Sequence, residues 1–274
     1  MSDVENVRLN DGNSLPAIGY GTFPHHGDDS EVITLRALEY GYRLLDTALR
    51  YGNESAVGRA IGRSGVPREE IVVTTKLPGR HHGYKEAKHG FYESLENLQL
   101  DYIDLYIIHW PLPRLNKFVD TWQMLAELQQ EGLVRSIGVS NFTPEHIERL
   151  MGETGVVPAV NQIELHPWLQ QDELREKHEV LGIRTEAWSP LGRGQVLQDP
   201  VILALAAEHD RTPAQIILRW HLQLGNIAIP KASSSGRIRE NFEVFDFELS
   251  PLDMSEIGGL ERGFRTGSHP DNVA

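Results

Sequence analysis

Four residues of this sequence, Asp46, Tyr51, Lys76 and His109, have side chains that could do chemistry together. Asp46, Lys76 and His109 each follow directly on a short apolar run, and Tyr51 comes shortly after Asp46. The carboxyl ends of parallel strands meet at one end of a sheet or barrel. An acid, a phenol, an amine and an imidazole would therefore share one site if these runs were neighbouring strands.

This set of side chains suits the transfer of a proton to an oxygen atom. An ammonium group beside Tyr51 favours the phenolate and lowers the pKa of the phenol, and Lys76 can be that group. Asp46 can keep Lys76 charged in an apolar interior, and His109 can donate a hydrogen bond that orients a carbonyl oxygen. None of the four is an obvious nucleophile and none requires a metal. The chemistry fits carbonyl reduction by a hydride, which a cofactor must supply because side chains cannot.

Structural roles compete with this interpretation. A buried pair of Lys76 and Asp46, taken alone, is about as often structural as catalytic, since structural ion pairs also perturb pKa values. A lone histidine such as His109 more often makes a structural hydrogen bond. It is the occurrence of all four at successive strand ends that favours catalysis.

Strand and helix patterns alternate along the chain. Apolar runs rich in β-branched residues end in polar residues, and an amphipathic stretch follows each of them. The runs predict strands at 17–20, 43–46, 71–76, 105–109, 136–140, 159–164, 184–188 and 227–230. The stretches predict helices at 31–39, 54–61, 85–98, 118–131, 144–151, 172–181, 213–224 and 234–241.

Eight such units in 274 residues favour a closed (β/α)8 barrel, the TIM barrel, with residues 1–274 as one domain. An open doubly wound sheet also alternates, but a dinucleotide-binding one would need Gly-x-Gly-x-x-Gly after its first strand. Gly19 and Gly21 match the first two glycines, whereas Pro24 stands in place of the third, and residues 24–27 delay the helix.

Segments outside the repeats complete the predicted architecture. Residues 7–16 predict a β-hairpin with an Asp-Gly turn, which could plug the bottom of a barrel. Residues 251–260 predict an extra C-terminal helix, and a polar tail follows at 261–274.

Composition narrows the classes of partner and compartment. The formal net charge of −13 argues against binding nucleic acid or an anionic membrane surface. The sequence has no cysteine, its N-terminus is acidic and polar, and no apolar run is long enough to span a membrane. We therefore expect a cytoplasmic protein without a metal site.

The four polar residues lie within segments that resemble the aldo-keto reductase family, most closely its bacterial branch that includes the 2,5-diketo-D-gluconate reductases. The resemblance covers essentially the whole chain in the family's order. The matching segments are GYRLLDTA at 41–48, YGNE at 51–54, VTTK at 73–76, LYIIHWP at 105–111, IGVSNF at 137–142, NQIE at 161–164, WSPL at 188–191 and IPK at 229–231.

The resemblance implies a (β/α)8 barrel that binds NADPH in extended form. Tyr51 would be the general acid, Lys76 and Asp46 its tuning pair, and His109 the residue that orients the carbonyl. The positions that match the family's cofactor contacts are Thr22, Asp46, Ser140, Asn141, Gln162, Trp188, Ser189, Leu191, Lys231, Ser233, Arg237, Glu240 and Asn241.

A local basic cluster supports a phosphorylated cofactor. Lys231, Arg237 and Arg239 stand together in an otherwise acidic sequence and suit a 2′-phosphate, although a solvated helix face is the alternative. The family usually has serine where this chain has Ala232, so one phosphate contact is lost unless Ser233 compensates. We expect NADPH to be preferred and NADH to bind more weakly.

The expected substrate is a small or medium carbonyl compound, possible examples being keto sugars and keto acids. Phe23 and Trp110 would form apolar walls above His109. The short loop at 111–116 predicts an open site and broad specificity. The polar tail could cover the site, with Arg265 or His269 attracting an acidic substrate. No macromolecular partner is expected, and the protein would be a monomer.

Two other functional classes stay open. A metal-dependent barrel hydrolase usually needs a His-x-His pair after the first strand, and the adjacent His25 and His26 lack that spacing. An NADPH-binding barrel with a sensing or structural role would have no need of a general acid.

Overall fold

Eight parallel strands, curled into a barrel with helices outside, form the body of this computed structural model, which describes residues 5–23 and 27–273. The strands follow chain order around the sheet. Two strands of a separate hairpin, β1 (Asn6–Arg8) and β2 (Ser14–Pro16), precede them in the chain. The barrel strands are β3 (Tyr20–Gly21), β4 (Leu44–Asp46), β5 (Val72–Leu77), β6 (Ile103–Ile108), β7 (Val134–Ser140), β8 (Val160–Glu164), β9 (Arg184–Trp188) and β10 (Ile227–Ala228). Ile18 forms a parallel bridge with Ala228, so the two ends of the sheet meet. The predicted TIM barrel is confirmed.

Helices surround the strands. In the described part of the chain they are α1 (Gly27–Glu39), α2 (Glu54–Arg63), α3 (Tyr84–Leu98), α4 (Phe118–Gln130), α5 (Pro144–Thr154), α6 (Asp172–Leu181), α7 (Pro200–Glu208), α8 (Pro213–Gln223), α9 (Ser235–Phe242) and α10 (Pro251–Gly258). Thr143, Thr212 and Ser250 each form a capping box before a proline at the first helical position. These side chains satisfy backbone N–H groups that have no partner within the helix.

The structure corrects several predicted boundaries. Helix α7 was not predicted, although Asp199 before Pro200 is a helix-start signal and Asp199 does cap Val201. Helix α1 begins at Gly27 rather than at residue 31; residues 24–26, expected to delay it, lie outside the described residues. Strand β10 ends before Pro230, which has no N–H group to offer a ladder.

Alternation along the strands separates two apolar layers. Leu44, Leu105 and Ile107 belong to a cluster inside the barrel, whereas Leu45 and Tyr106 belong to the larger cluster between strands and helices. Successive side chains of a strand point to opposite faces. The inward series on β4 therefore runs from Leu44 to Asp46, and that on β6 runs through Leu105 and Ile107 towards His109.

A hairpin fills the bottom of the barrel. Strands β1 (Asn6–Arg8) and β2 (Ser14–Pro16) pair antiparallel, and Leu9 and Leu15 join the inner apolar cluster. Asn13 donates hydrogen bonds to Arg135 O and Ser136 Oγ, near the start of β7. The predicted hairpin plug is therefore present. Within the described residues, no helix combines the length and the apolar character needed to cross a membrane.

Candidate active site

Asp46, Lys76 and His109 lie at the carboxyl ends of barrel strands, and Tyr51 lies in the loop that follows the first of these strands. Asp46 ends β4, Lys76 lies near the end of β5 and His109 follows β6, where its N–H donates to Leu77 O at 3.1 Å. Tyr51 ends a short 3-10 turn that begins at Leu49. The strand order places β4, β5 and β6 side by side, which is why residues far apart in sequence converge.

Lys76 and Asp46 form an ion pair inside the barrel. Lys76 Nζ donates to Asp46 Oδ1 at 2.5 Å and to Thr47 O at 2.9 Å. Lys76 is 1% exposed and Asp46 is 3% exposed. Burial alone would lower the pKa of Lys76, but the charge of Asp46 and its hydrogen bond raise that pKa overall. Lys76 therefore stays charged at neutral pH, as expected.

Tyr51 lies beside this ion pair and beside His109. Lys76 Nζ is 5.2 Å from the centroid of the Tyr51 ring, and the His109 ring meets the Tyr51 ring edge-on at a centroid distance of 5.7 Å. Burial raises the pKa of Tyr51 and the charge of Asp46 adds to the rise, while Lys76 opposes both. The expected lowering of the Tyr51 pKa is thus wrong in its net direction, because burial outweighs the ammonium group. The phenol keeps its proton at neutral pH, as a proton donor must.

The histidine of the set is neutral. Burial and the positive charges of Lys76 and Arg50 hold the pKa of His109 well below its usual range. A neutral imidazole has one N–H donor and one acceptor nitrogen. His109 Nδ1 is buried and has no hydrogen-bond partner among the described residues. The ring can therefore take either tautomer and present an N–H to a ligand.

Ser140, Asn141 and Trp188 form a connected polar group at the ends of β7 and β9. Asn141 Nδ2 donates to Ser140 Oγ at 3.0 Å and to His109 O at 3.1 Å. Trp188 Nε1 donates to Asn141 Oδ1 at 2.8 Å. Asn141 has φ of 64°, a left-handed conformation that asparagine tolerates better than most residues. The turn thus directs these side chains towards the same end of the barrel as His109.

Gln162 links this end of the barrel to Glu186, a residue that the sequence patterns did not predict as part of the site. Gln162 Nε2 donates to Asp46 Oδ2 at 2.8 Å and to Glu186 Oε2 at 3.0 Å. Glu186 stands two residues before Trp188 on β9 and shares its inward direction, and that spacing was the signal that could have identified it. Asp46 is therefore bonded on one oxygen to Lys76 and on the other to Gln162.

The remaining residues near the first strand lie above Asp46. Thr22 donates its N–H to Asp46 O at 2.9 Å, and Asn53 Nδ2 bonds Thr22. Phe23 is 54% exposed and its ring centroid is 4.8 Å from that of Tyr51. Trp110 is half-buried and follows His109 directly in the chain. Phe23 thus provides an apolar surface against Tyr51.

A second group of the predicted residues lies after β9 and β10. Lys231, Ser233 and Arg237 are exposed, and Lys231 Nζ donates to Ser233 Oγ at 2.6 Å. Ser234 caps α9 by accepting from the Arg237 N–H. Arg239, expected in the same basic cluster, instead bonds Glu243 at 2.7 Å on the surface of α9.

The donor set fits a phosphate group. An ammonium, a guanidinium and a hydroxyl are gathered at the positive N-terminal end of a helix. Glu240 accepts from Thr212 Oγ1 at 2.8 Å, and Asn241 is buried. The turn that follows Trp188 in the chain contains Ser189, at φ of 49°, and Leu191, both half-buried.

The C-terminal tail is anchored beside Trp188. The N–H groups of Thr266 and Gly267 donate to Glu164, which is 0% exposed. Arg265 Nη1 lies 4.0 Å from the same carboxylate. A Cβ atom at Gly267 would lie 2.4 Å from the Trp188 ring, so the tail and the indole are in direct contact. Arg265, which with His269 was considered as a contact for an acidic substrate, lies near Glu164 and donates to Gln171 Oε1 at 3.1 Å.

Comparison with known proteins gives one consistent result. The Aldo/keto reductase family matches residues 17–262. An aldo-keto reductase of Mycolicibacterium smegmatis is 55% identical over 264 residues, 96% of either chain. A Corynebacterium 2,5-diketo-D-gluconic acid reductase B is 47% identical over 272 residues, 99% of this chain and 98% of the other. The crystal structure of a Gox0644 mutant in complex with NADPH is 44% identical, covers 100% of both chains and has a TM-score of 0.96.

These likenesses agree with the resemblance read from the sequence motifs. The matched region runs from the first strand of the barrel to the beginning of the tail, and it includes all four clustered polar residues. The chain belongs to the aldo/keto reductase family, a family of NADP-dependent oxidoreductases.

Proposed function

We propose that this protein reduces small and medium aldehydes and ketones to alcohols, with NADPH as hydride donor and Tyr51 as general acid. The observation that carries the proposal is the buried Lys76–Asp46 ion pair beside a protonated Tyr51 and a neutral His109. A pure NADPH-binding barrel has no use for an acid of this kind. A role in sensing or structure is therefore the less supported alternative.

The side chains have separate tasks in this reaction. Bound NADPH supplies a hydride to the carbonyl carbon. His109 donates a hydrogen bond to the carbonyl oxygen and holds it beside the Tyr51 hydroxyl. Tyr51 gives its proton to that oxygen as negative charge develops, and Lys76 stabilises the phenolate left behind. Asp46 keeps Lys76 charged and fixed in place.

The proposed cofactor contacts are those that the resemblance to the family implies for the two polar groups of the site. Ser140, Asn141 and Gln162 offer amide and hydroxyl groups to the nicotinamide carboxamide, and Trp188 offers an aromatic face to its ring. Thr22 and Asp46 would lie near the nicotinamide ribose. Ser189 and Leu191 would flank the pyrophosphate, Lys231, Ser233 and Arg237 would bind the 2′-phosphate, and Glu240 and Asn241 would contact the adenine.

Preference for NADPH over NADH rests on the exposed cations. Lys231 and Arg237 are solvent-accessible, and the Ser233 hydroxyl stands beside the Lys231 ammonium group. Ala232 is buried and offers no hydroxyl at the position where the family usually has serine. NADH lacks the 2′-phosphate and would bind more weakly.

The substrate would lie against Phe23 and Trp110, with His109 at the floor. Apolar walls with few polar groups suit carbonyl compounds of modest size. The likeness to a 2,5-diketo-D-gluconic acid reductase supports keto sugars and keto acids as candidates. We further propose that the protein acts as a cytoplasmic monomer; the absence of cysteine supports the cytoplasmic part of this proposal.

A panel of aldehydes, ketones, keto sugars and keto acids tests this function. Oxidation of NADPH and of NADH is followed by the absorbance of the reduced nicotinamide, and NADPH binding is measured separately by calorimetry. Turnover of at least one carbonyl class with NADPH is expected. Tight NADPH binding without turnover of any compound would contradict the reductase proposal and favour the sensing role.

A further inference from the structure

Glu186 is a buried acid inside the barrel to which the proposed mechanism gives no task. It lies on β9 between register partners Gln162 of β8 and Ile227 of β10, and it is 0% exposed. The Gln162 amide nitrogen donates to Glu186 Oε2 at 3.0 Å and to Asp46 Oδ2 at 2.8 Å. A single amide group therefore joins the carboxyl groups of Glu186 and Asp46.

The charges in this network do not balance if both acids are ionised. One ammonium group, that of Lys76, would face two carboxylates, and it donates a hydrogen bond to Asp46. Glu186 Oε1 has no hydrogen-bond partner among the described residues. An ionised carboxylate that is buried with one bare oxygen carries a large desolvation cost. The cost is much smaller when Glu186 holds a proton.

The surroundings of Glu186 favour the neutral form. Burial first, and then the negative charge of Asp46, raise the pKa of Glu186 to about 8, although the Gln162 hydrogen bond and Lys76 oppose the rise. The flanking strands place the uncharged Gln162 and the apolar Ile227 beside Glu186. The charged groups that act on Glu186 are Asp46 and Lys76, which lie across the barrel. The titration of Glu186 is thus coupled to the ion pair that stands beside Tyr51.

We propose that Glu186 is a positioning residue of the reductase site. Because its carboxyl group is neutral, it does not compete for the positive charge of Lys76, which acts on Asp46 and Tyr51. The inference rests on the proposed function, because it concerns how readily Tyr51 gives up its proton. When Glu186 ionises, it adds negative charge near Lys76 and makes a phenolate at Tyr51 less favourable. Reduction should therefore slow as Glu186 loses its proton.

The pH profile of Glu186→Gln tests this inference. Glutamine keeps the size of the side chain and an oxygen that can accept from Gln162, but it cannot ionise. The kcat for reduction by the wild-type protein is measured at saturating NADPH from about pH 6 to about pH 10. The kcat should fall roughly tenfold across pH 8. This is the size expected if ionisation of Glu186 shifts the pKa of the general acid Tyr51 by about one unit. In Glu186→Gln this fall should be absent.

A matched control and a second variant make the result specific. Glu54 is another buried acid, bonded to Thr75 and Asn97 outside the barrel, and burial raises its pKa as well. Glu54→Gln should keep the wild-type profile. If glutamine at Glu186 impairs folding, Glu186→Met carries the same test, since it also removes the charge. A wild-type fall in kcat that persists in the folded variant would overturn the inference.

A second measurement separates this inference from the proposed function. Infrared difference spectra of wild type and Glu186→Gln at neutral pH should contain the carbonyl band of one protonated carboxyl group. This readout requires no turnover. Its absence would overturn the inference even in an active reductase. Failure of every carbonyl substrate would instead contradict the reductase function and leave the infrared result unaffected.

Discussion

Lys76 Nζ lies 5.2 Å from the centre of the Tyr51 ring, close enough to act on the phenol through its charge. Burial nevertheless raises the pKa of Tyr51, so the free phenol is protonated. The ammonium group therefore has its main effect after the proton has left, when it stabilises the phenolate.

Replacement of Tyr51 by phenylalanine should abolish carbonyl reduction and spare cofactor binding. The ring and its contacts with Phe23 and His109 remain, while the proton donor is lost. General acids typically contribute about 100-fold or more to a rate, so kcat should drop at least that far. NADPH affinity, measured by fluorescence titration, should change little. Unchanged turnover would disprove the assignment of Tyr51 as the acid.

Replacement of Lys76 by methionine should reduce both activity and stability. The variant leaves the buried carboxylate of Asp46 without its ammonium partner, which typically costs about 3–5 kcal/mol. Urea unfolding gives the loss, and the double variant with Asp46→Asn should recover part of it because no buried charge remains. Activity should not return in the double variant. A double variant as unstable as the single one would argue against the ion pair as the cause.

Replacement of Arg237 by alanine should weaken NADPH but not NADH. Loss of a charge-assisted contact to the 2′-phosphate predicts a rise of about tenfold or more in the KM for NADPH. Arg239 offers a matched control on the same helix, because it is also an exposed arginine but its side chain bonds Glu243. Arg239→Ala should leave both KM values near those of the wild type. Equal losses for the two cofactors in Arg237→Ala would rule out the 2′-phosphate role.

Replacement of Gly267 by alanine should disturb Trp188. The new Cβ would lie 2.4 Å from the indole ring and 3.1 Å from Glu164 Oε2, so the tail or the indole must shift. We expect the intrinsic fluorescence and the KM for NADPH to change together. Gly258→Ala provides the control, since nothing lies within 4 Å of the added carbon there. If neither the fluorescence nor the KM for NADPH changed in Gly267→Ala, the contact between Gly267 and Trp188 would not be what positions the indole.

His178 should make the folded protein sensitive to acid. It is buried between Asn161 and Thr185, and burial lowers its pKa from 6.5 to about 3. The unfolded chain takes up a proton near pH 6.5 but the folded chain does not, so stability is full above that pH and is lost as the pH falls towards about 3. Each such group contributes about 1.4 kcal/mol per pH unit.

The variant His178→Gln isolates this effect from the other titrating groups. Glutamine can bond to the same partners without taking up a proton. Urea unfolding of both proteins at about pH 7 and about pH 5 should therefore show the wild type losing more stability than the variant. Parallel losses would mean that His178 is not the source.

The strand ends were predictable from sequence because they combine two simple signals. Asp46, Lys76 and His109 each close an apolar run, and neighbouring parallel strands bring such ends together. The family motifs added the assignment of roles. Glu186 was missed because it lies one inward position before the end of β9, inside a run that looked like strand body. Its partner Gln162 was expected to contact a cofactor, and nothing in the sequence pairs the two across strands.

The contacts of the C-terminal tail could not be predicted from sequence patterns either. Glu164 and Gly267 are 103 residues apart, and no periodicity relates a strand end to an irregular segment. Helix α7 is different, since its start signal at Asp199 and Pro200 was available and its apolar character on all sides hid the amphipathic pattern. The direction of the Tyr51 pKa also required the structure, because burial and charge oppose each other and only geometry decides between them.

The hairpin beneath the barrel has a consequence for the chemistry at the opposite end. Leu9 and Leu15 close the floor of the inner apolar cluster, which keeps solvent from rising through the strands. A low dielectric strengthens every charge interaction above it. We therefore expect Leu9 and Leu15, at the opposite end of the barrel, to influence the proton of Tyr51 by keeping the barrel interior apolar.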